Sequence, residues 1–274
     1  MRGHDEQGGT QPHIPAADGD TEAGQLLAAQ PPLATVSAHT FVCRWTTASD
    51  PAALRCDDGE TYVVKASHPG RPEVSRMMIA DHVVGRLGEL LEAPVPSVAL
   101  VEVPAPLIAA QPEMSGWSSG VAHGSRFIEN TTEREGLSFV DAPANRERFA
   151  RLAILFGWTQ GSDQQFIYEK TVHLVYSHDH GHFFPGGPQW TEASLLAALH
   201  NAQTDQALVQ GCNLNAQEIA AAVARLQATT VQQIEVVVTG VPAVWGITAG
   251  ERTALREFLV QRRASLTGQP GLPP

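Results

Sequence analysis

The hydrophobic period changes along this chain, and that change limits the folds open to it. Before about residue 104 apolar residues mostly fall in short strand-like blocks. After about residue 142 they recur every three or four positions. Residues 41–45 (Phe-Val-Cys-Arg-Trp) read as one strand and residues 60–65 (Glu-Thr-Tyr-Val-Val-Lys) as another. Asp57, Asp58 and Gly59 lead into the second, and an Asp-Gly pair between strand-like runs favours a hairpin. Ile79, Val83, Val84, Leu87, Leu90 and Leu91 then mark a helix that stops before Pro94, and residues 97–103 mark a further strand. The Gly- and Ser-containing stretch 116–124 reads as a loop.

In the second half Phe149, Leu152, Ala153 and Phe156 share one helix face. Residues 171–177 alternate, with Val172, Leu174 and Tyr176 on one side of a strand. Residues 191–200 read as a helix with Thr191 as its N-cap. Asn215 with Glu218, and Thr248 with Glu251, have the spacing of capping boxes. In each, the first side chain bonds the backbone three residues on and the second bonds back. Residues 234–238 suit a strand or a helix equally. The spacing predicts an α+β protein of two lobes, a small strand-rich one at about 34–110 and a larger helical one at about 111–266, with tails at 1–33 and 267–274. The first tail is rich in Gly, Gln, Asp, Ala and Pro and has too little apolar surface to offset the entropy of ordering it. A cleft between two lobes is a common ligand position.

Composition excludes several classes of partner. The chain has 18 Lys and Arg against 29 Asp and Glu, a net charge of −11, which disfavours nucleic acid and anionic membrane. No apolar run is long enough to span a membrane, and no apolar stretch follows Arg2, so no signal peptide is read and a cytoplasmic location is expected. The three cysteines, Cys43, Cys56 and Cys212, form no Cys-x-x-Cys pair, and a reducing compartment is expected. Cys43 and Cys56 read as buried strand residues.

Three positions could carry chemistry. Lys65, at the end of a strand, can project an ammonium towards phosphate oxygens, or it can reach into water. Asp163, in the polar loop after the apolar helix, can accept a proton from a hydroxyl, or simply shape a turn. Asp179, sixteen residues later in Ser177-His-Asp-His-Gly-His182, stands where a strand ends and can hold Mg²⁺ on a nucleotide. Alternatively His178, His180 and His182 are metal ligands, or belong to a polar turn. A strand lysine, a loop aspartate and a second aspartate at a strand end follow the order used in phosphoryl transfer.

These residues give the chain its resemblance to the HipA-like kinases. The segment 57–65 resembles the family's nucleotide-lysine strand, and residues 79–104 resemble the segment after it. Gly124-Ser-Arg-Phe127 resembles its Gly-Ser-Arg-aromatic motif, residues 158–165 its catalytic loop, and His178-Asp-His-Gly181 its metal-binding motif. Val241-Pro-Ala-Val-Trp245 and the closing helix through Arg262 and Arg263 extend the likeness. The resemblance implies a bilobal protein-kinase-like fold with Mg²⁺ and ATP between the lobes. In it Lys65 would contact the phosphates, Asp163 would be the base and Asp179 would hold the metal.

The chain departs from the family pattern in three places. Residues 46–51 (Thr-Thr-Ala-Ser-Asp-Pro) replace a glycine-rich phosphate loop, leaving Ser49 as donor and adding the charge of Asp50. Met77 stands where a helix glutamate would pair with the lysine, and Glu73 lies one turn away. No asparagine follows Asp163, and Gln165 is the available substitute. Arg126 is a further candidate for the phosphates. Two functions follow: an ATP-dependent kinase acting on a protein or small-molecule hydroxyl, or a degenerate module that holds a nucleotide or partner without efficient transfer. A histidine-based metal protein is the third.

Overall fold

The turn at Asp57, Asp58 and Gly59 organises the first part of the molecule. The structure, a computed structural model, describes residues 33, 35–134 and 136–268. The expected tails lie outside these residues except for Leu33, Thr267 and Gly268. Gly59 takes a φ of +82° and closes the turn between β2 (Ala52–Cys56) and β3 (Thr61–Lys65). The hairpin is therefore real, but its first strand is β2 and not residues 41–45. Those residues lie at the end of a longer β1 (Thr35–Arg44) that pairs antiparallel with β2. After β3 the chain enters α1 (Pro72–Leu90), with Pro in the first turn, where a missing N–H costs nothing. Then come β4 (Val98–Val103), the short α2 (Ala105–Ala110) and β5 (Gly120–Arg126). The strands close a barrel in the order β1-β2-β3-β5-β4, with β4 parallel to β1 and every other pair antiparallel.

The Gly/Ser stretch expected to be a loop thus supplies a strand. Gly124 explains why: a Cβ there would lie 2.6 Å from Val101 Cγ2 on β4. A residue that lowers strand propensity is the one that lets two barrel strands close up. It also moves the boundary. The strand-rich part runs through Arg126, where residue 110 was expected to end it.

A second sheet, β6 (Thr131–Glu133), β7 (Gln165–Glu169) and β8 (Val175–His178), is antiparallel throughout. β8 is shorter than the alternation at 171–177 predicts, because Glu169 accepts the N–H groups of Thr171 and Val172 and turns the chain there. The helices are α3 (Pro143–Thr159), α4 (Glu192–Ala197), α5 (Gln206–Gly211), α6 (Ala216–Ala228), α7 (Val231–Thr239) and α8 (Ala249–Thr267). Residues 234–238 are therefore helical. Thr191 caps α4, and both expected capping boxes are present, at α6 and α8.

Among the described residues two hydrophobic clusters result. One fills the barrel around Leu54, Val64, Val101 and Trp117. The larger one joins α1 to the helices through Met78, Phe149, Phe156, Trp158, Leu255 and Phe258. Arg262 on α8 is buried in the larger one and donates to the carbonyls of Gly157 (2.6 Å), Trp158 (2.8 Å) and Ala198 (3.0 Å). It thereby satisfies the open end of α3, from which the Asp163 loop departs. Trp245 is also buried. Its Nε1 donates to the Val121 carbonyl on β5 (2.7 Å), and its ring meets His82 of α1 edge-on. Cys56 is buried as expected, whereas Cys43 faces solvent.

Candidate functional site

The site is built where β3, α1 and the turn after β8 converge. Lys65 ends β3 and is only 5% exposed. Its Nζ donates to Asp81 Oδ2 at 2.7 Å and to Asp179 Oδ1 at 2.6 Å. The other oxygen of Asp81 accepts the backbone N–H of His180 at 2.7 Å. A single carboxylate on α1 thus ties the barrel strand to the Asp179 turn. Gly181 makes this approach possible, since a Cβ there would stand 2.9 Å from Met77 Cβ.

The charges do not share the burial cost equally. Burial pulls the Lys65 ammonium towards its neutral form, but Asp81 and Asp179 outweigh it and hold the pKa above the ordinary value. Burial raises Asp179, but Lys65 more than offsets this and leaves the carboxyl below its usual range. For Asp81 burial wins. Lys65 compensates only in part, Asp179 adds repulsion, and the pKa rises to about 6. Lys65 with Asp179 is thus the favourable pair and Asp81 the strained member. The imidazoles nearby add no charge, because burial lowers His82 and His180 to about 3 and His123 well below its ordinary value.

Lys65, Asp81 and Asp179 line a cavity of about 560 Å³. Gln165 and Arg126 line it too, Arg126 at an exposed position where it pairs with Glu60 at 2.6 Å. Asp163 is exposed, with a φ of +54°, and does not line the cavity. It is linked to it through Gln165, whose Nε2 donates to Asp163 Oδ2 at 3.2 Å. Four of the six candidate residues therefore share one cavity, and Asp163 stands beside it.

Ser49 is the exception. It is 3% exposed and turned away from the cavity, which Thr47 of the same stretch lines instead. The cause is a clamp. Asp50 takes a φ of +47° and pairs with Arg44 (3.1 Å) and Arg71 (2.8 Å), and Arg71 also bonds the Ala48 carbonyl. The charge of Asp50, expected to oppose phosphate, is neutralised by the same clamp.

The helix acid is also corrected. Glu73 bonds Arg71 and Met77 packs at Gly181, while Asp81, one turn beyond Met77, meets Lys65. The sequence did carry a signal, since an aspartate inside the apolar run Met77 to Val84 needs a buried partner. The histidines of 178–182 do not converge. His180 is buried against Ser177 at 2.9 Å, and among the described residues no group of three or more His, Cys, Asp or Glu could hold a metal ion.

Comparison with known proteins agrees with the fold. The crystal structure of the Helicobacter pylori proinflammatory kinase CtkA superposes with a TM-score of 0.56 at 10% identity, covering 86% of this chain and 98% of that one. The Golgi casein kinase gives 0.43 at 10% identity over 86% and 73%. Shewanella oneidensis HipA, solved with HipB and operator DNA, gives 0.41 at 12% identity over 89% and 67%. No curated protein matches the sequence. The first of these superpositions shows the fold, mixed helix and strand, to be that of a kinase. Residues 45–178, which carry Lys65, Asp81, Asp163 and the first residue of the His-Asp-His-Gly motif, match the HipA-like kinase family.

Proposed function

We propose that this chain is a bilobal kinase that binds Mg²⁺ and ATP in the cavity and transfers the terminal phosphoryl group to a hydroxyl. The acceptor is a protein or a small molecule. The observation that carries this reading is the contact of Lys65 with Asp179, 2.6 Å apart across 114 positions of sequence, at the wall of a cavity sized for a nucleotide.

The donor set fits the metal. Asp179 keeps 26% of its side chain exposed, and Gln165 lines the same cavity. One or two carboxylates completed by phosphate oxygens and water suit Mg²⁺. Bound there, the ion would neutralise phosphate charge. Lys65 would orient the phosphates, with Arg126 as a second cation once it leaves Glu60. Thr47 takes the place expected of Ser49. Asp163 accepts the proton of the acceptor hydroxyl as the bond to phosphorus forms and the bond to the bridging oxygen breaks. Gln165 holds Asp163 at the cavity edge. Residues 34–266 form the kinase domain. An acidic surface, with no described helix long and apolar enough to cross a membrane, supports a cytoplasmic protein acting without nucleic acid or membrane.

A second reading, a module that holds nucleotide without efficient transfer, is favoured by the exposed position of Asp163 and the glycine-free stretch at 46–51. Two measurements separate them. A ligand at a hundredfold excess over its Kd stabilises the folded state by about 2.7 kcal/mol. Mg-ATP should therefore raise the unfolding temperature of the wild type and not of Asp179→Ala. Phosphoryl transfer lost in Asp163→Ala, with that thermal shift intact, supports the kinase. A thermal shift without transfer supports the module, and the absence of any shift refutes both.

A further inference from the structure

We propose that a second cavity beside the first receives the phosphoryl acceptor, and that Glu133 makes this chain select acceptors with an ammonium or guanidinium group near the reacting hydroxyl. This rests on the nucleotide reading above and adds to it the class of acceptor.

The second cavity has a volume of about 410 Å³. Phe166 and Leu208, both buried, and the half-buried Leu137 give it an apolar floor. It meets the nucleotide cavity at Glu133, Gln165 and His178, which line both. The second sheet brings these three together. Glu133 ends β6, Gln165 opens β7 and His178 closes β8, and Gln165 faces His178 across the β7–β8 pair. Gln165 also carries the bond to Asp163, so the proposed base stands at the seam between a space for nucleotide and a space for a second reactant. In the transfer the acceptor oxygen bonds the terminal phosphorus while the bond to the bridging oxygen breaks. ADP leaves with that electron pair, and the hydroxyl proton passes to Asp163.

The charge at the seam decides what enters. Glu133 is exposed, and among the described residues its carboxylate has no ion-pair or hydrogen-bond partner. It lies within electrostatic reach of the His178 ring, as do Asp179 and Lys65. Lys65 does not balance it, being shared already between Asp81 and Asp179. Arg134, next in sequence, does not balance it either. Its guanidinium lies over the Phe139 ring at 4.8 Å, and it lines the second cavity alone. Arg126, on the nucleotide side, is paired with Glu60. A bare carboxylate beside a polyphosphate opposes nucleotide binding, and a cleft lined by one sign of charge concentrates ligands of the other. A cationic acceptor relieves the first effect and exploits the second. Acceptor and nucleotide should therefore each tighten the binding of the other.

Isothermal titration of the Mg²⁺ complex of the non-hydrolysable β,γ-imido analogue of ATP tests this on wild type, Glu133→Gln and Arg134→Gln. Each is titrated alone and with ethanolamine, glycolate, a serine peptide flanked by lysines or one flanked by glutamates, at equal ionic strength. At least one of the two cationic compounds should tighten nucleotide binding to wild type by about threefold, the scale of an ion pair at an exposed site, and neither anionic compound should. Which cationic compound does so separates a free amino alcohol from a peptide as the source of the charge. Glu133→Gln should bind the nucleotide about threefold more tightly than wild type when no acceptor is present, and should lose the response to the cationic compound. Arg134→Gln should keep it. With Mg-ATP in place of the analogue, phosphate should appear on the hydroxyl of the compound that tightened binding.

Weaker nucleotide binding in Glu133→Gln overturns the inference, because Glu133 then serves the metal and not the acceptor. So does nucleotide binding to wild type that no cationic compound tightens, tightening without phosphate on that compound, or transfer to glycolate or the glutamate-flanked peptide in preference. Each of these leaves the nucleotide site standing. Failure of wild type to bind the nucleotide at all refutes the nucleotide reading, and the acceptor cavity with it.

Discussion

Replacing Asp81 by Asn tests the charge distribution at Lys65. The carboxyl of Asp81 moves from its ordinary 3.8 to about 6 in the folded protein. Between those values the folded state holds a proton that the unfolded state has released, so this group's contribution to stability falls as pH rises through the window. Above about pH 6 the cost is fully present, and a shift of this size corresponds to about 3 kcal/mol. Asn removes the charge and with it this cost. It keeps one acceptor for the His180 N–H and loses a charge-assisted bond to Lys65, which costs about 1–2 kcal/mol. Asp179 remains 2.6 Å from Lys65, so no buried ammonium is left alone. The variant should therefore unfold in urea within about 2 kcal/mol of wild type at pH 8. Relative to wild type it should gain about 1–2 kcal/mol between pH 5 and pH 8. The same variant should bind Mg-ATP more weakly, since Lys65 is then oriented from one side only. A stability difference that does not change with pH, or a loss of about 4 kcal/mol or more at pH 8, would refute the assignment of Asp81 as the strained member.

Gly181→Ala should destabilise the protein by about 1–3 kcal/mol in urea unfolding, because the added methyl meets Met77 Cβ at 2.9 Å, and unchanged stability would mean that the turn has room to move. Arg71→Ala leaves Asp50 paired with Arg44 alone. It should weaken Mg-ATP binding in titration while changing stability by less than about 1 kcal/mol, since Arg71 is partly exposed, and Arg71→Ala with Asp50→Ala should recover the affinity. Arg262→Leu strands two carbonyls at the end of α3 and that of Ala198 at the end of α4, and should cost about 2–4 kcal/mol in the same unfolding assay.

The legible parts of this fold were those fixed locally. The capping boxes at Asn215 and Thr248 each involve residues three apart, and the chain makes them wherever the helix goes. The β2–β3 turn is likewise decided by Asp57, Asp58 and Gly59. β2 itself, with two alanines, has little strand propensity. It is a strand because β1 and β3 pair with it on either side. β5 was obscured by Gly124, whose value lies in its contact with Val101 on another strand. The site shows the same division. Lys65, Asp179, Gln165 and Arg126 were readable from short motifs, and they do share a cavity. The place of Asp81 inside the apolar run Met77 to Val84 signals a buried partner, but that the partner is Lys65 depends on how far α1 is advanced past β3, a tertiary register. Ser49 faces inward because of arginines at positions 44 and 71, neither of which belongs to the motif.

Trp245 carries a mechanical consequence. It sits just ahead of α8, yet it holds a β5 carbonyl at 2.7 Å and rests on His82 of α1. Besides the Lys65 contacts to Asp81 and Asp179, the barrel is therefore held by a segment far along the chain. One indole touches both the barrel and α1, so a change at Trp245 reaches the two together.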